Sequence, residues 1–328
     1  MVSYNTIDHN EITNAGGNRP RNALFSFGKS EAVPNSSNTV SNNNIYDVLN
    51  LNQNYTKAIA LYTSNDQSPN NSYNTGWTIS GNSFYDTQDV SASGSNGDVK
   101  FIFVWADQGS GFTINNNYIG GSAALCSGTW TKATGNNEVR VIWINAKQAG
   151  ATNYLQGNTI KNFNLTNSGA ASWVGIYFNA GDNNVSNNCI GASTGTGSII
   201  YTNGATGGSF TGYNQGVYCS STCDNNTIGS ITVANSNQAY ATNFIGIWVS
   251  PACGSGTTSN NLVGSTTTPN SINATSASTS NAQTVVGIKI QGAGQAKTIY
   301  EKNCCFGWFG CARCLEHSCF GCGHSFRS

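Results

Sequence analysis

A short pattern of apolar and polar positions recurs along the chain. In its clearest copy, Ile114 is followed by two polar residues, Asn117, one variable residue and the apolar Ile119. The same spacing returns in eight copies that lie roughly 30 to 40 residues apart, an interval typical of stacked repeat units. The asparagines of these copies are Asn10, Asn43, Asn82, Asn117, Asn158, Asn188, Asn226 and Asn261.

The repeated unit is predicted to consist of short strands. The chain is rich in Asn, Gly, Ser and Thr, which disfavour helices, and its apolar residues form alternating, β-branched runs. We expect the recurring asparagine to form a bend, because asparagine enters the left-handed backbone region more readily than most residues. Stacked coils lie about 4.8 Å apart, so these amides would form a hydrogen-bonded ladder. The pattern predicts an all-β parallel β-helix of about eight coils with long Ser/Thr/Asn/Gly loops.

The apolar residue after each asparagine is expected to point into the helix and to stack on its equivalents in the neighbouring coils. In the last two copies the apolar position before the asparagine is taken by Cys223 or Thr258, but the asparagine is kept. The predicted inward column consists of Ile12, Ile45, Phe84, Ile119, Ile160, Ile190, Ile228 and Val263.

A second strand precedes each asparagine and is clearest at residues 173–178 and 244–249. Alternation of side chains points Ile176 and Phe178 inward and Tyr177 outward. The equivalent outward positions predict an aromatic column of Trp105, Trp143, Tyr177, Tyr218, Trp248 and Lys289, with Phe25 at its N-terminal end. The lysine supports the outward assignment, because a lone lysine inside the helix would be costly.

Charge and composition exclude several classes of function. Charged residues make up only 9% of the chain and the formal net charge is zero, whereas a nucleic-acid partner requires a basic face. No apolar run approaches the roughly 18 residues that span a membrane. No secretory signal follows Met1, since neither a basic segment nor an apolar core is present there. We expect the chain to be an uncapped segment of a longer parent chain.

The cysteines divide the chain into two predicted regions, a repeat domain at residues 1–303 and a Cys-rich tail at residues 304–328. Six of the 11 cysteines crowd the tail, where the repeat composition stops within one coil. A non-native or frame-shifted end, a disulfide-rich cap and a metal site remain open. We favour the first because the composition breaks abruptly within one coil, and the two C-x-x-C pairs are closer together than is usual for zinc. Cysteines within the repeats are expected to be small buried residues, with a Cys219–Cys223 disulfide as an alternative.

The repeats resemble the right-handed parallel β-helix proteins secreted by bacteria, the pectin-lyase-like solenoids. The resemblance covers residues 5 to about 303 and rests on Asn38-Thr-Val-Ser-Asn-Asn-Asn-Ile45, Trp77-Thr-Ile-Ser-Gly-Asn-Ser-Phe84 and Asn183-Asn-Val-Ser-Asn-Asn-Cys-Ile-Gly191. It implies a right-handed coil and a secreted or cell-surface location. It leaves the function open, because this fold supports lyases, hydrolases, adhesins and tail spikes.

Motifs for catalysis are weak in the repeats. The acids are dispersed, the sequence lacks the Asn-Thr-Asp, Asp-Asp and Gly-His-Gly motifs of galacturonases, and Gly287-Ile-Lys289 is only a faint match to their Arg-Ile-Lys. Asp8, His9 and Glu11 lie together but are expected to form a solvated end face. We therefore predict no catalytic residue, no cofactor and no metal site within the repeats.

Two functions follow as hypotheses. The first is a non-catalytic segment of a secreted or surface protein that serves adhesion, display or glycan binding, with sugars stacked on the aromatic column and hydrogen-bonded to Asp107 and Asn179. The second is a fragment of a polysaccharide lyase or glycoside hydrolase, which should show carboxylates, or a carboxylate and a Lys or Arg, converging across coils. Loops that bury the aromatic column would argue against the first hypothesis.

Overall fold

The chain forms a parallel β-solenoid with almost no helix, which confirms the predicted fold class. The computed structural model describes residues 2–28, 33–53, 55–61, 73–92, 97–147, 150–204, 208–249, 256–290, 297–300 and 303–305. Within them, a single 3-10 turn at Ala124–Cys126 interrupts the strands. The predicted Cys-rich tail lies outside the described residues, apart from Cys304 and Cys305.

The largest sheet has 15 strands, and a complete turn contributes first a long strand and then a shorter one to it. Its long strands are Asn22–Ser26, Thr56–Leu61, Asp98–Ala106, Glu138–Ala146, Trp173–Ser186, Ser209–Asp224, Asn243–Val249 and Val285–Ile290. Its short strands are Thr6–Asp8, Thr39–Ser41, Thr78–Ser80, Thr113–Asn115, Asn153–Gln156, Gly256–Ser259 and Lys297–Tyr300. Trp173–Ser186 and Ser209–Asp224 continue through both positions of their turns.

Three smaller sheets complete the cross-section. The second sheet follows the ladder asparagines and comprises Glu11–Ile12, Asn44–Tyr46, Ser83–Tyr85, Tyr118–Ile119, Thr159–Ile160, Cys189–Gly191, Thr227–Gly229, Leu262–Gly264 and Asn303–Cys305. The third sheet comprises Val90–Ser91, Trp130–Thr134, Phe163–Asn167, Ile199–Asn203, Ile231–Asn235 and Ile272–Ser276. A small sheet near the N-terminus pairs Val2–Ser3, Asn35–Ser36 and Asn74–Thr75.

The solenoid has about six turns, fewer than the eight predicted. The prediction counts one coil for each ladder asparagine, whereas the third sheet contains only six strands. In the two coils before Val90, the described residues place no strand in that sheet. An irregular segment packs on this side instead, where Arg19 Nη1 donates a hydrogen bond of 3.3 Å to the carbonyl of Leu49. The early coils therefore have strands on fewer faces than the later ones.

The predicted asparagine ladder is confirmed across all eight positions. Each Nδ2 donates to the Oδ1 of the next ladder asparagine over 2.9 to 3.0 Å. The same Oδ1 also accepts the backbone N–H of the preceding ladder asparagine, as in the 3.1 Å bond from Asn82 to Asn117. From Asn43 onward, the second Nδ2 proton goes to a carbonyl one coil back, as from Asn117 to Ile79. Each interior amide is thus satisfied inside the fold.

The left-handed bend lies one residue before the ladder asparagine, so the prediction that this asparagine itself adopts it is wrong. The residues with positive φ are His9, Asn42, Gly81, Asn116, Gly157, Asn187, Asn225 and Asn260. The ladder residue uses its amide between coils, and its neighbour makes the bend, where Asn or Gly tolerates a φ of +53° to +66°. The repeated Asn-Asn pairs in the sequence therefore carry two different roles.

The predicted inward column is in register from Ile12 to Val263. The long strands bend where they pack against this column. The bend is evident from Phe101 and Ile102, which are adjacent in one strand and yet are both buried in the core. In a later turn this bend holds Gly175, where a Cβ would lie 2.6 Å from Ile190 Cδ1. The glycine at this position therefore leaves room for Ile190.

Cysteines in the described repeats behave as small core residues. Cys126 and Cys223 are buried and Cys189 is half-buried. Burial raises the pKa of Cys126 to about 12, which keeps its thiol protonated. The side chain of Cys219 lies outside the described residues, so the Cys219–Cys223 alternative stays a prediction.

One lysine lies inside the solenoid, contrary to the expectation that a lysine would avoid it. Lys132 is fully buried and in register with the inward-facing Leu165. Its Nζ donates to the carbonyls of Thr134 and Thr166 over 3.3 and 2.5 Å and to Asn167 Oδ1 over 2.6 Å. A third carbonyl, that of Gly135, accepts at 3.2 Å. These oxygens replace the hydration that the ammonium loses on burial, and within the described residues no carboxylate pairs with it.

We predict that Asn117→Ala lowers the free energy of unfolding by about 3 kcal/mol, because it leaves the Asn82 N–H and the Ile79 carbonyl buried without their partners. Urea unfolding followed by circular dichroism measures the change. Asn116→Gly is the matched control, since it keeps the positive φ of the exposed neighbouring bend. Equal stability of the two variants would contradict a structural role for the ladder amide.

We also predict a pH effect from Lys132. Burial lowers its pKa from 10.5 to about 8, so the unfolded chain binds more protons between these two pH values and stability rises with pH in that window. The free energy of unfolding of the wild type, relative to Lys132→Met, should therefore rise by up to about 3 kcal/mol between pH 8 and 10.5. Urea titrations across that range measure it, and a constant difference between the two proteins would count against this assignment.

Candidate functional site

The outer surface of the long strands carries one column of side chains in exact register from turn to turn. We call it the outer column. Its residues are Phe25, Ala60, Phe103, Trp143, Tyr177, Asn214, Trp248 and Lys289. The strand register therefore agrees with the predicted column at five positions, namely Phe25, Trp143, Tyr177, Trp248 and Lys289.

The register of two predicted column members differs. Trp105 lies opposite Asn145, because the core pair Ile102 and Ile142 places Phe103 next to Trp143. Tyr218 lies opposite Ala180. Its strand instead contributes Asn214 to the outer column. The side chain of Tyr218 is outside the described residues, and we attach no role to it.

Three rings of the outer column stack on one another. The centroids of Phe103 and Trp143 are 4.5 Å apart with an interplanar angle of 19°, and those of Trp143 and Tyr177 are 5.9 Å apart at 21°. Because each ring lies one turn beyond the last, their faces point along the solenoid and their edges point outward. Phe103 and Trp143 are only 3% and 7% exposed. These two rings are therefore packing residues. For them, burial of the aromatic column holds in place of glycan stacking.

Trp105 has a different orientation from the stacked rings. Its ring is nearly perpendicular to Trp143, at 86° with centroids 4.9 Å apart, and it is half-buried. Its Nε1 donates a 3.3 Å hydrogen bond to Asp107 Oδ1, which also accepts from Asn145 Nδ2 at 3.3 Å. Lys147 Nζ lies 3.0 Å from the same carboxylate oxygen. Trp105 thus borders a polar cluster rather than continuing the stack.

The polar cluster extends to the adjacent turn through Asn179. Its Nδ2 donates to Asn145 Oδ1 over 3.1 Å, and its Oδ1 accepts a 2.9 Å hydrogen bond from the hydroxyl of Tyr177. The sequence hypothesis names Asp107 and Asn179 as polar partners beside the rings, and the structure brings both to that place. Asn145 links them and was not predicted, although it lies two residues after Trp143 in the same strand.

Three cations flank the stacked rings in successive turns. Lys57, Lys100 and Arg140 are in register. Lys100 Nζ lies 5.0 Å from the ring centroid of Phe103 and 5.1 Å from that of Trp143. The Arg140 guanidinium lies 5.9 Å from the Trp143 centroid and 5.6 Å from that of Tyr177. The aromatic faces therefore hold these cations within the fold by cation–π attraction.

Acids two residues away pair with two of these cations. Lys100 contacts Asp98, and Arg140 Nη2 lies 2.7 Å from Glu138 Oε1. Burial lowers the pKa of Lys57 to about 7 and also lowers that of Lys100, whose neighbouring Asp98 opposes the shift. Lys57 and Lys100 are each only 2% exposed. The two lysines are therefore internal parts of the wall that supports the rings.

At the other end of the outer column, the stack is interrupted. Asn214 follows Tyr177, and Trp248 comes one turn later. The Nζ of Lys289 lies 4.5 Å above the ring centroid of Trp248, so one face of this indole points along the solenoid toward the last turns. Tyr177, Asn214 and Trp248 are all half-buried. This part of the column is accessible, unlike Phe103 and Trp143.

A second group of charges converges across coils near the N-terminus. Arg19 contacts Asp86, with Nη2 2.7 Å from Oδ1, and the same nitrogen lies 3.6 Å from Asp47 Oδ1. Burial raises the pKa of Asp86 to about 6, and Arg19 opposes the shift. The pKa of Asp47 is lowered. Burial alone would raise this pKa, but the hydrogen bonds from Asp86 and Thr87 outweigh that effect. The side chains of Arg19, Asp47 and Asp86 are 18%, 11% and 2% exposed, so this group is mostly enclosed.

No protein-family model, curated protein or solved structure matches the chain. In the described part of the chain, no set of three or more His, Cys, Asp and Glu side chains could hold a metal ion. Among the described residues, no helix is long and apolar enough to cross a membrane.

We predict that Trp143→Ala lowers the free energy of unfolding by about 3 kcal/mol, because it empties a buried position between Phe103 and Tyr177. Tyr154→Ala is the matched control, since that ring is 42% exposed on another face and its removal should cost less than about 1 kcal/mol. Both values come from urea unfolding. A Trp143 variant as stable as the control would show that this ring is not part of the packed wall.

Proposed function

We propose that this chain is a non-catalytic segment of a secreted or cell-surface, pectin-lyase-like β-helix protein that binds glycans for adhesion or display. The observation that carries the proposal is the pairing of half-exposed rings with polar groups on one rigid sheet. Trp105 and Tyr177 border the hydrogen-bonded cluster of Asp107, Asn145 and Asn179. Aromatic rings beside amide and carboxylate groups are the combination that recognises the apolar faces and hydroxyls of sugars.

The rigidity of the surface supports this proposal. Backbone pairing fixes the outer column, and the inner ends of its strands are anchored in a continuous core. A ligand would therefore meet side chains that are already ordered, and binding would cost little conformational entropy. The partner of such a surface would be a polysaccharide or a cell-surface glycan.

A second candidate is a polysaccharide lyase or glycoside hydrolase fragment with an incomplete active site. The observation that favours it is the convergence of Asp47 and Asp86 with Arg19 across three coils, which is the arrangement expected of an enzyme of this class. We rank it second, because the three side chains bind one another and are largely enclosed. Release of new reducing ends or unsaturated products from a polysaccharide by the intact chain, lost in Asp86→Asn, would reverse the ranking.

We predict that the chain is retarded in native gels that contain its polysaccharide ligand, and that Trp105→Ala, Tyr177→Ala and Trp248→Ala each weaken this retention about 3- to 10-fold. Cellulose derivatives, chitosan, β-1,3-glucan, starch and polygalacturonate form the test panel. Tyr154→Ala controls for the loss of an exposed ring on another face. Unchanged retention in all three variants, with their stability reduced, would show that the rings are packing and would reject the proposal.

A further inference from the structure

An amine and a primary amide lie side by side in the interior of the solenoid. Lys132 Nζ donates a 2.6 Å hydrogen bond to Asn167 Oδ1, and the two residues belong to consecutive strands of the third sheet, Trp130–Thr134 and Phe163–Asn167. They are 0% and 1% exposed. Since a C=O bond is about 1.2 Å long, the amide carbon Cγ lies no more than about 3.8 Å from Nζ. A small rotation of either side chain brings the two atoms to the roughly 3 to 3.5 Å at which a nucleophile attacks.

Lys132 is placed to react as a neutral amine. Burial lowers its pKa to about 8, and within the described residues no carboxylate stabilises its ammonium. A lysine whose site disfavours the charged form presents its lone pair at a lower pH than an exposed lysine, which is how enzymes make lysine a nucleophile. Of the oxygens that accept from Nζ, that of Asn167 belongs to a primary amide, whereas the others belong to the backbone. A primary amide can lose its nitrogen without cutting the chain.

The Asn167 amide has partners on both of its polar atoms. The backbone N–H of Asn137 donates to Oδ1 over 3.3 Å, so it faces the oxygen on which negative charge would build up during attack. On the other side, Nδ2 donates over 3.3 Å to the hydroxyl of Tyr201, which itself donates to the carbonyl of Ala171. Burial raises the pKa of Tyr201, so this hydroxyl keeps its proton. Rotation about the C–O bond would turn that proton toward a leaving Nδ2.

We infer that Lys132 and Asn167 form an amide cross-link between two consecutive turns of the solenoid. The lone pair of Nζ attacks Cγ, so the Nζ–Cγ bond forms and the Cγ–Nδ2 bond breaks. In net, one proton passes from Nζ to Nδ2, and the former side-chain nitrogen of Asn167 leaves as ammonia. The step needs no oxidant or reductant. Its product is a secondary amide that joins the two side chains inside the core.

The reaction is expected to be slow and to depend on pH. Within the described residues no carboxylate beside Lys132 takes up the Nζ proton, so only chains that already hold the neutral amine react. The rate should therefore rise with pH up to the pKa of Lys132 and level off above it. In newly folded protein Lys132 is still an amine and titrates as such.

The cross-link would change how the turns are held together. The ladder hydrogen bonds between turns are lost when strands separate, whereas a covalent bond between residues 132 and 167 would persist in the unfolded chain. It closes a loop in the way a disulfide does and restricts the unfolded ensemble. We expect the melting temperature of the cross-linked protein to be higher by roughly 5 to 10 °C.

Mass spectrometry of the intact folded chain tests the inference. After incubation at about pH 9, above the Lys132 pKa, the wild type should lose the mass of one ammonia, and a protease digest should contain a cross-linked peptide with both Lys132 and Asn167. Conversion at about pH 6 should be at least about 10-fold slower. Asn203 is an internal comparison, since it is in register with Asn167 and fully buried but has no hydrogen bond to a lysine. It should appear in no cross-linked peptide.

Two variants separate the chemistry from packing. Lys132→Arg keeps the positive charge but cannot form the bond, so it should retain its full mass and gain no thermal stability on incubation. Tyr201→Phe keeps the ring and should slow the cross-link at least about 10-fold. The wild-type digest decides the inference even if a variant fails to fold.

Two outcomes would overturn the cross-link. One is loss of ammonia without the joined peptide, which would mean that an asparagine has cyclised onto its own backbone. The other is a wild-type chain that keeps its full mass after prolonged incubation at about pH 9 while circular dichroism shows that it is still folded.

Discussion

Each turn of the solenoid is tied to the next by one buried asparagine amide. The amide must donate toward the following turn and accept from the preceding one, and both requirements are met within the same 2.9 to 3.0 Å ladder. A carboxylate has no donor for this purpose, and each interior amide is too deeply buried to rely on water. The need to satisfy these groups fixes the position of every turn relative to its neighbours.

That fixed register carries over to the opposite surface of each turn. The core pair of Ile142 and Ile176 places Trp143 against Tyr177, and the pair of Tyr213 and Ile247 places Asn214 against Trp248. The outer column is thus a consequence of the same stacking that aligns the ladder. A change of one residue in this register would move each ring to the other face of its strand. The proposed site depends on the ladder for its geometry, although no ladder residue touches it.

The repeat was sufficient to predict the fold, because the ladder asparagines and the inward column recur at constant offsets. It did not predict the register of Trp105, because Phe103 and Trp105 are two aromatic residues of one long strand that both lie outside the main core. It did not predict that of Tyr218, because the aligned position of its strand is occupied by Asn214, which is not aromatic. Neither could it predict Lys132, whose charge is matched by carbonyls that only the folded backbone brings together. For the candidate site, the sequence indicated the rings and the polar partners Asp107 and Asn179. The face-to-face stacking that buries Trp143, and the presence of Asn214 in the outer column, required the positions of neighbouring turns.

Hydrogen exchange of the asparagine side chains tests the central role of the ladder most directly. In a two-dimensional NMR spectrum, the Nδ2 protons of the interior ladder residues, from Asn43 to Asn226, should exchange as slowly as the buried backbone amides of the strands. Those of exposed residues such as Asn116 should exchange at the rate of free amides. Rapid exchange of the interior ladder protons in the folded protein would contradict the account, because it would mean that the turns are held together without these hydrogen bonds.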